Sequence, residues 1–351
     1  MASRAEALTY AATQTARVAF YGAHYLAARL LARDTVSERA RPKHRLPSLA
    51  KLAGAMAALF AQDWRNVETG LYPAPVDLRR EVRGAMASAR YLADIPRVVK
   101  RQRDGGPGAV NGAGKGLPGY YRQTFHFQTD GYLSARSAGL YDFQVEALFA
   151  GTAEAMRRRA YVPVARHLAR RKAKRPATLL DVGAGTGRFL AFVKSVQPRV
   201  KAVALDLSGP YLDRAKRRAA KTGQEIETIV APAEEIPLPD SSVDVVTAIY
   251  LFHELPPRVR AAAAAEIARV LKPGGLFVFA DSIQYGDAPG FDGLLDVFPD
   301  LLHEPYYASY AKQDLKQLFA RAGLMPARVD IAYLTKIMAF EKPKRAHQRR
   351  A

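Results

Sequence analysis

The stretch TLLDVGAGTGRFL, Thr178 to Leu190, decides how the second half of this chain folds. A short aliphatic run breaks into glycines at 183, 185 and 187, and apolar residues then resume at helical spacing. This reads as a buried strand, a tight turn and the start of a helix. Glycine takes positive φ readily and lets the backbone approach a ligand closely. A second strand, Ala202 to Leu207, carries Asp206 near its end. An acid about 20 residues beyond such glycines can accept hydrogen bonds from ribose hydroxyls. The pattern is that of a nucleotide cradle.

The pattern continues downstream. Ser242 to Phe252 is a nearly unbroken apolar run, as expected of a strand buried on both faces. Arg258 to Leu271 reads as a helix, stopped by Lys272-Pro273-Gly274-Gly275. Leu276 to Ala280 is the next buried strand. Gln313 to Ala322 reads as a helix, followed by closing strands at Ala327 to Leu334 and Lys336 to Glu341. Alternation of strand and helix predicts an α/β, Rossmann-like, mostly parallel sheet with helices on both faces.

The series LLDVGAGTGRFL, ALDLS, AEEIPLPDSSVDVVTAIYLFHEL and RVLKPGGLFVFADS resembles the class I S-adenosylmethionine-dependent methyltransferases. It is most similar to the branch that includes the quinone-biosynthesis C-methyltransferases. The resemblance covers about residues 176–343. It implies seven strands with only the last antiparallel, and S-adenosylmethionine as cofactor. It also implies a set of donor contacts. Asp181, Gly183, Ala184, Gly185 and Gly187 would surround the methionine part. Asp206 would hold the ribose, with Leu207 on the adenine and Ala233 and Glu234 along its edge. Tyr250, at the end of the fourth strand, joins this set. Pro232 stands where relatives usually carry an Asp, so adenine recognition would rest on Ala233 or Glu234.

Composition sets further bounds. The chain has 351 residues and no cysteine, which excludes disulfides, thiolate metal sites and cysteine nucleophiles. The net charge is +20, and it is uneven. Residues 1–176 hold 30 Lys/Arg against 13 Asp/Glu, whereas residues 177–351 hold 23 against 20. Such asymmetry suits an anionic partner, or simply solvated arginines.

The expected organisation is a basic helical domain (1–103), a Gly/Pro-rich linker (104–118) and an aromatic lid segment (119–175). The methyltransferase-like domain (176–343) and a basic tail (344–351) follow. Helices are expected at Ala5–Arg33, Pro47–Asn66 and Asp77–Arg101. They could form a core, touch an anionic membrane peripherally, or build a homodimer. The linker contains Gly-x-Gly-Lys, but Gly116 follows Lys115 where a phosphate loop needs Ser or Thr. Within the lid, Tyr132 and Tyr141 are candidates to pack around a sulfonium by cation–π attraction.

Methyl transfer is an in-line displacement, so alignment matters most, and a base is needed for a phenol, enol or activated carbon. His253 follows the fourth strand directly, with Glu254 beside it as a possible orienting acid. The long connection from Ser282 to Lys312 adds His303 and Tyr306 as candidates. No metal is expected, because these spacings match no metal motif. The expected activity is methylation of carbon or oxygen on a small apolar or aromatic metabolite, in the cytoplasm or at a membrane surface. A nucleic-acid methyltransferase using the basic half is a second reading, although the Asn/Asp-Pro-Pro-Tyr/Phe motif is absent. A non-catalytic donor-binding scaffold is a third.

Overall fold

A computed structural model of the chain describes residues 3–31, 42–75, 78–103, 116–123, 125–127, 130–173 and 175–344. Most of the expected linker and all of the tail beyond Lys344 lie outside the described residues. The chain divides into two compact units. One comprises residues 1–159, 285–308 and 332–334. The other comprises 160–284, 309–331 and 335–351.

The first unit is helical. It contains α1 (Arg4–Leu31), α2 (Leu49–Glu68), α3 (Leu78–Arg103), α4 (Ala135–Leu148) and α5 (Ala153–Arg159). Ser48 caps α2 by accepting the Lys51 N–H, which fixes its start two residues beyond the expected Pro47. A buried carboxylate ties three helices together. Arg158 donates to both oxygens of Asp63, at 3.0 and 2.5 Å. The hydroxyls of Tyr10 and Tyr72 donate to the same group, each at 2.6 Å. Burial and the neighbouring Asp63 push both phenols far above the usual tyrosine range. Asp63→Ala would leave a buried guanidinium without its anion. We expect a stability loss of about 3–5 kcal/mol, measured by urea unfolding.

The second unit starts with α6 (Tyr161–Arg170) and β1 (Thr178–Val182). Then come α7 (Arg188–Val196), β2 (Lys201–Asp206), α8 (Gly209–Ala220), β3 (Glu227–Val230) and β4 (Val243–Ile249). They are followed by α9 (Pro257–Val270) and β5 (Leu271–Ser282). The chain then adds α10 (Asp292–Leu302) to the helical unit. The short α11 (Tyr307–Tyr310), α12 (Leu315–Arg321), β6 (Met325–Ala332) and β7 (Thr335–Glu341) complete it. The seven-stranded sheet has the order β3-β2-β1-β4-β5-β7-β6. The pairs from β3 across to β5 are parallel, and β7 runs antiparallel to β5. This is the architecture expected from the alternation of strand and helix.

The details differ in three places. First, β4 ends at Ile249 rather than Phe252, because Tyr250 turns to φ +56°. Second, Lys272 to Gly275 is more than a stop. Leu271 pairs with Val243 and Leu276 with Val245, so the segment is an irregularity inside β5. Third, the compact units cut across the expected boundaries. Residues 160–175 pack with the sheet, and 285–308 with the helical unit. Local contacts explain the second grouping. Asp296 accepts the Lys43 and His44 N–H groups at 2.8 and 2.7 Å, and the Tyr285 hydroxyl at 2.9 Å. Among the described residues no helix is long and apolar enough to cross a membrane.

Candidate active site

The glycine turn follows β1 and is laced to β2. The Gly183 and Ala184 N–H groups donate to the Leu205 carbonyl at 2.8 and 3.0 Å. Gly185 N–H donates to one oxygen of Asp206, and Ser208 N–H to the other, both at 2.8 Å. The glycines have different reasons to be there. A Cβ on Gly187 would lie 2.6 Å from the Ala215 methyl of α8, and one on Gly183 would lie 2.9 Å from Leu251. A Cβ on Gly185 would meet nothing within 4 Å. The outer two glycines allow close packing, and the middle one opens onto space. All three have positive φ. Gly187→Ala should therefore lose roughly 1–2 kcal/mol to the left-handed backbone and roughly 1–3 more to overpacking. Gly185→Ala should lose only the first part. Denaturant unfolding of the two variants checks the difference.

Asp206 sits at the end of β2, as expected. Burial pushes its carboxyl above the usual carboxylate range, against the pull of the Ser208 and Gly185 N–H groups. Asp181 is buried and accepts the Thr247 hydroxyl at 2.6 Å, so it braces β1 against β4. Leu207 is half-buried just past β2. Beyond β3, Ala231 N–H donates to the Asp206 carbonyl at 3.2 Å. Glu235 N–H donates to the Pro232 carbonyl, also at 3.2 Å. Pro232 thus begins a tight turn whose buried second residue is Ala233, with Glu234 half-buried beside it.

The second cluster lies past β4 and β5. Tyr250, in its left-handed conformation, shares a 2.6 Å hydrogen bond with the buried Thr335 hydroxyl. His253 follows in the turn Phe252–Glu254. Its Nδ1 lies 2.6 Å from Asp281 Oδ1. A carboxylate only accepts, so Nδ1 carries the proton and donates. Asp281 is fully buried, and its other oxygen accepts the N–H groups of Phe252 and His253 at 2.8 and 3.3 Å. The acid hydrogen-bonded to this imidazole is therefore Asp281, where the sequence suggested Glu254. Glu254 stands on the far side of the ring, 3.9 Å from Nε2. Asp281 lies one residue before the end of β5, and only the adjacency of β4 and β5 reveals its partner.

Arg260 on α9 was not apparent from sequence at all. It is fully buried. It donates to the Phe252 carbonyl and Gln313 at 2.8 Å and to Ser309 at 3.0 Å, and it stands over the Tyr310 ring. Burial lowers its guanidinium to about 10, opposed by Asp281 and Tyr310. Arg260 holds the turn that carries His253. Arg260→Met should cost about 2–4 kcal/mol in stability, since several polar partners lose their donor. Thermal unfolding measures this.

The remaining candidates belong to the helical unit. His303 ends α10 with φ +48°, and burial holds its imidazole below the usual histidine range. Burial raises the Tyr306 phenol. Tyr132 is buried, stacked on Phe125 at 5.4 Å and edge-on to Tyr141 at 5.8 Å. These rings pack the lid segment within its own unit.

Comparison with known proteins bears on this geometry. Residues 179–275 match the family described as methyltransferase domain. The demethylmenaquinone methyltransferase of Thermus thermophilus is 34% identical over 105 residues, 30% of this chain and 47% of that protein. A ubiquinone/menaquinone biosynthesis C-methyltransferase of Methylobacterium nodulans is 35% identical over 127 residues, 35% of this chain and 49% of that protein. A malonyl-[acyl-carrier protein] O-methyltransferase of Geobacter sulfurreducens is 30% identical over 176 residues, 47% of this chain and 63% of that protein. The chain thus spans about half the length of the first two of these relatives.

Proposed function

We propose that this chain, whose residues 179–275 are a methyltransferase domain of the class I type, methylates a small apolar or aromatic metabolite at carbon or oxygen. S-adenosylmethionine is the donor in this reading. The observation that carries it is the cradle at Gly185, open above the turn and tied to the Asp206 carboxylate. That donor set fits the group: an acid for ribose hydroxyls, and a backbone that admits close approach. When bound, the sulfonium supplies an electrophilic methyl group. Leu207, Ala233 and Glu234 would line the adenine, and Asp181 would brace the turn beneath it.

The chain's own chemistry is alignment and proton handling. Asp281 fixes the His253 tautomer, which leaves Nε2 as the acceptor atom of the neutral ring. Nε2 would take a proton from an acidic hydroxyl or ring carbon of the acceptor, with Glu254 and Tyr250 nearby on the same turn. Tyr132 would pack against the donor, and His303 and Tyr306 would contact the acceptor. The relatives' names suggest quinone-like rings as acceptors. The basic amino-terminal region, with exposed Leu26, Leu30 and Leu31 beside Arg29 on α1, suits peripheral contact with an anionic membrane. A nucleic-acid substrate is disfavoured by the likeness to small-molecule enzymes. The deciding experiment is calorimetric titration with S-adenosylhomocysteine, followed by labelled-donor assays on demethylated quinones. Saturable binding is expected. Its absence, with and without acceptor, would sink the reading.

A further inference from the structure

The helical unit forms a partly open pocket of about 170 Å³ between α1, α3, α4 and α10. Its walls are branched aliphatics from three helices, including Ile95 and Val98 of α3, Val145 and Leu148 of α4, and Leu301 of α10. Tyr25, Tyr91 and Tyr141 add ring edges, and burial pushes the Tyr91 phenol up to about 12, so it stays neutral. Folded cores are close-packed and hold few voids larger than a water molecule. Apolar side chains that line a pocket open to solvent stay in contact with water, and a ligand that covers them gains by removing that surface. The volume is enough for one aromatic ring, since a cavity of ~150 Å³ takes up benzene.

The polar groups at the cavity narrow the ligand further. Asp94 is buried, and its charge is taken up by Arg136 at 3.0 Å and Arg97 at 3.6 Å. His126 pairs with Glu304 at 3.1 Å. Both acids are therefore committed to partners within the unit. Gln144 also lines the pocket. Arg29 also lines the cavity, its guanidinium over the Tyr25 ring at 5.9 Å. Such a lining favours a neutral ligand with an apolar body.

We propose that this pocket binds a single-ring aromatic or compact branched aliphatic group. The proposal does not depend on methyl transfer. The group could belong to the methyl acceptor or to a separate apolar ligand, and the test distinguishes them.

Equilibrium binding of toluene and p-cresol to the full chain, followed by ligand-observed NMR, tests it, with benzoate as the charged comparison. Saturable binding of the two neutral probes is expected, with benzoate at least tenfold weaker. Val145→Phe and Leu301→Phe fill the cavity from different helices and should each weaken p-cresol at least tenfold. Val145→Ala enlarges it and should shift preference toward naphthalene, which keeps the test open if a filling variant fails to fold. No saturable binding by the unsubstituted chain, or p-cresol binding unchanged in folded filling variants, overturns the proposal. S-adenosylhomocysteine titration of the same variants separates this site from the donor site, and failure there would count against the donor reading alone. Once an acceptor is in hand, loss of methyl transfer in Val145→Phe with donor binding intact assigns the bound group to the acceptor. Unchanged transfer with lost p-cresol binding assigns it to a separate ligand.

Discussion

Asp206→Ala is expected to weaken S-adenosylhomocysteine binding about a hundredfold in calorimetric titration. Ribose hydroxyls donating to a charged acceptor contribute about 1.5–3 kcal/mol each, and 1.4 kcal/mol is a factor of ten. The same carboxylate accepts the Gly185 and Ser208 N–H groups, so the alanine also loosens the turn. Asp206→Asn loses the charge but keeps one of the two acceptors for the turn, so its comparison with the alanine weighs the two effects. The pH dependence follows from the raised carboxyl of Asp206. A folded pKa above the unfolded one means that the folded state holds its proton more tightly. The stabilisation is fully present below the unfolded value of 3.8 and is lost as pH rises through the raised folded value. Above that window Asp206 burdens the ligand-free fold, and the asparagine variant does not carry this burden. The stability difference between the two should therefore open as pH rises and close in acid. Melting temperatures across that range measure it, and a pH-independent difference would contradict the assignment.

The second large effect is expected at Asp281. Asp281→Asn should lower kcat by about a hundredfold or more while donor affinity stays within a few-fold. The asparagine amide can present a donor to Nδ1, which favours the wrong tautomer and places the proton on Nε2. Asp281→Ala should instead cost stability, about 3–5 kcal/mol, since the Phe252 and His253 N–H groups lose a buried acceptor. Comparison of kcat, donor affinity and unfolding for both variants tests the positioning role. A pH–rate profile adds a readout that a structural brace would not move. If Asp281→Asn kept full kcat, His253 would not be the base in this tautomer.

The sequence alone determined the sheet of this protein. An apolar run, three glycines and Asp206 specify a strand, a turn and a second strand through local backbone and burial demands, and these act within a few residues. Continuous burial of β4 was likewise readable from SVDVVTAIYLF, although not the φ +56° at Tyr250 that ends the strand early. Tertiary structure alone decided who meets His253. Asp281 lies 28 residues away and reaches it only because β4 and β5 are neighbours. Adjacent Glu254 looked the better partner in one dimension, yet side chains of neighbouring residues diverge from the backbone. Arg260 gave no signal, because an arginine in an Ala-rich helix reads as solvated until Phe252, Ser309 and Gln313 surround it. The same holds for residues 285–308. Their membership of the helical unit rests on Asp296 meeting the Lys43 and His44 amides, a pairing across about 250 residues that no local pattern encodes.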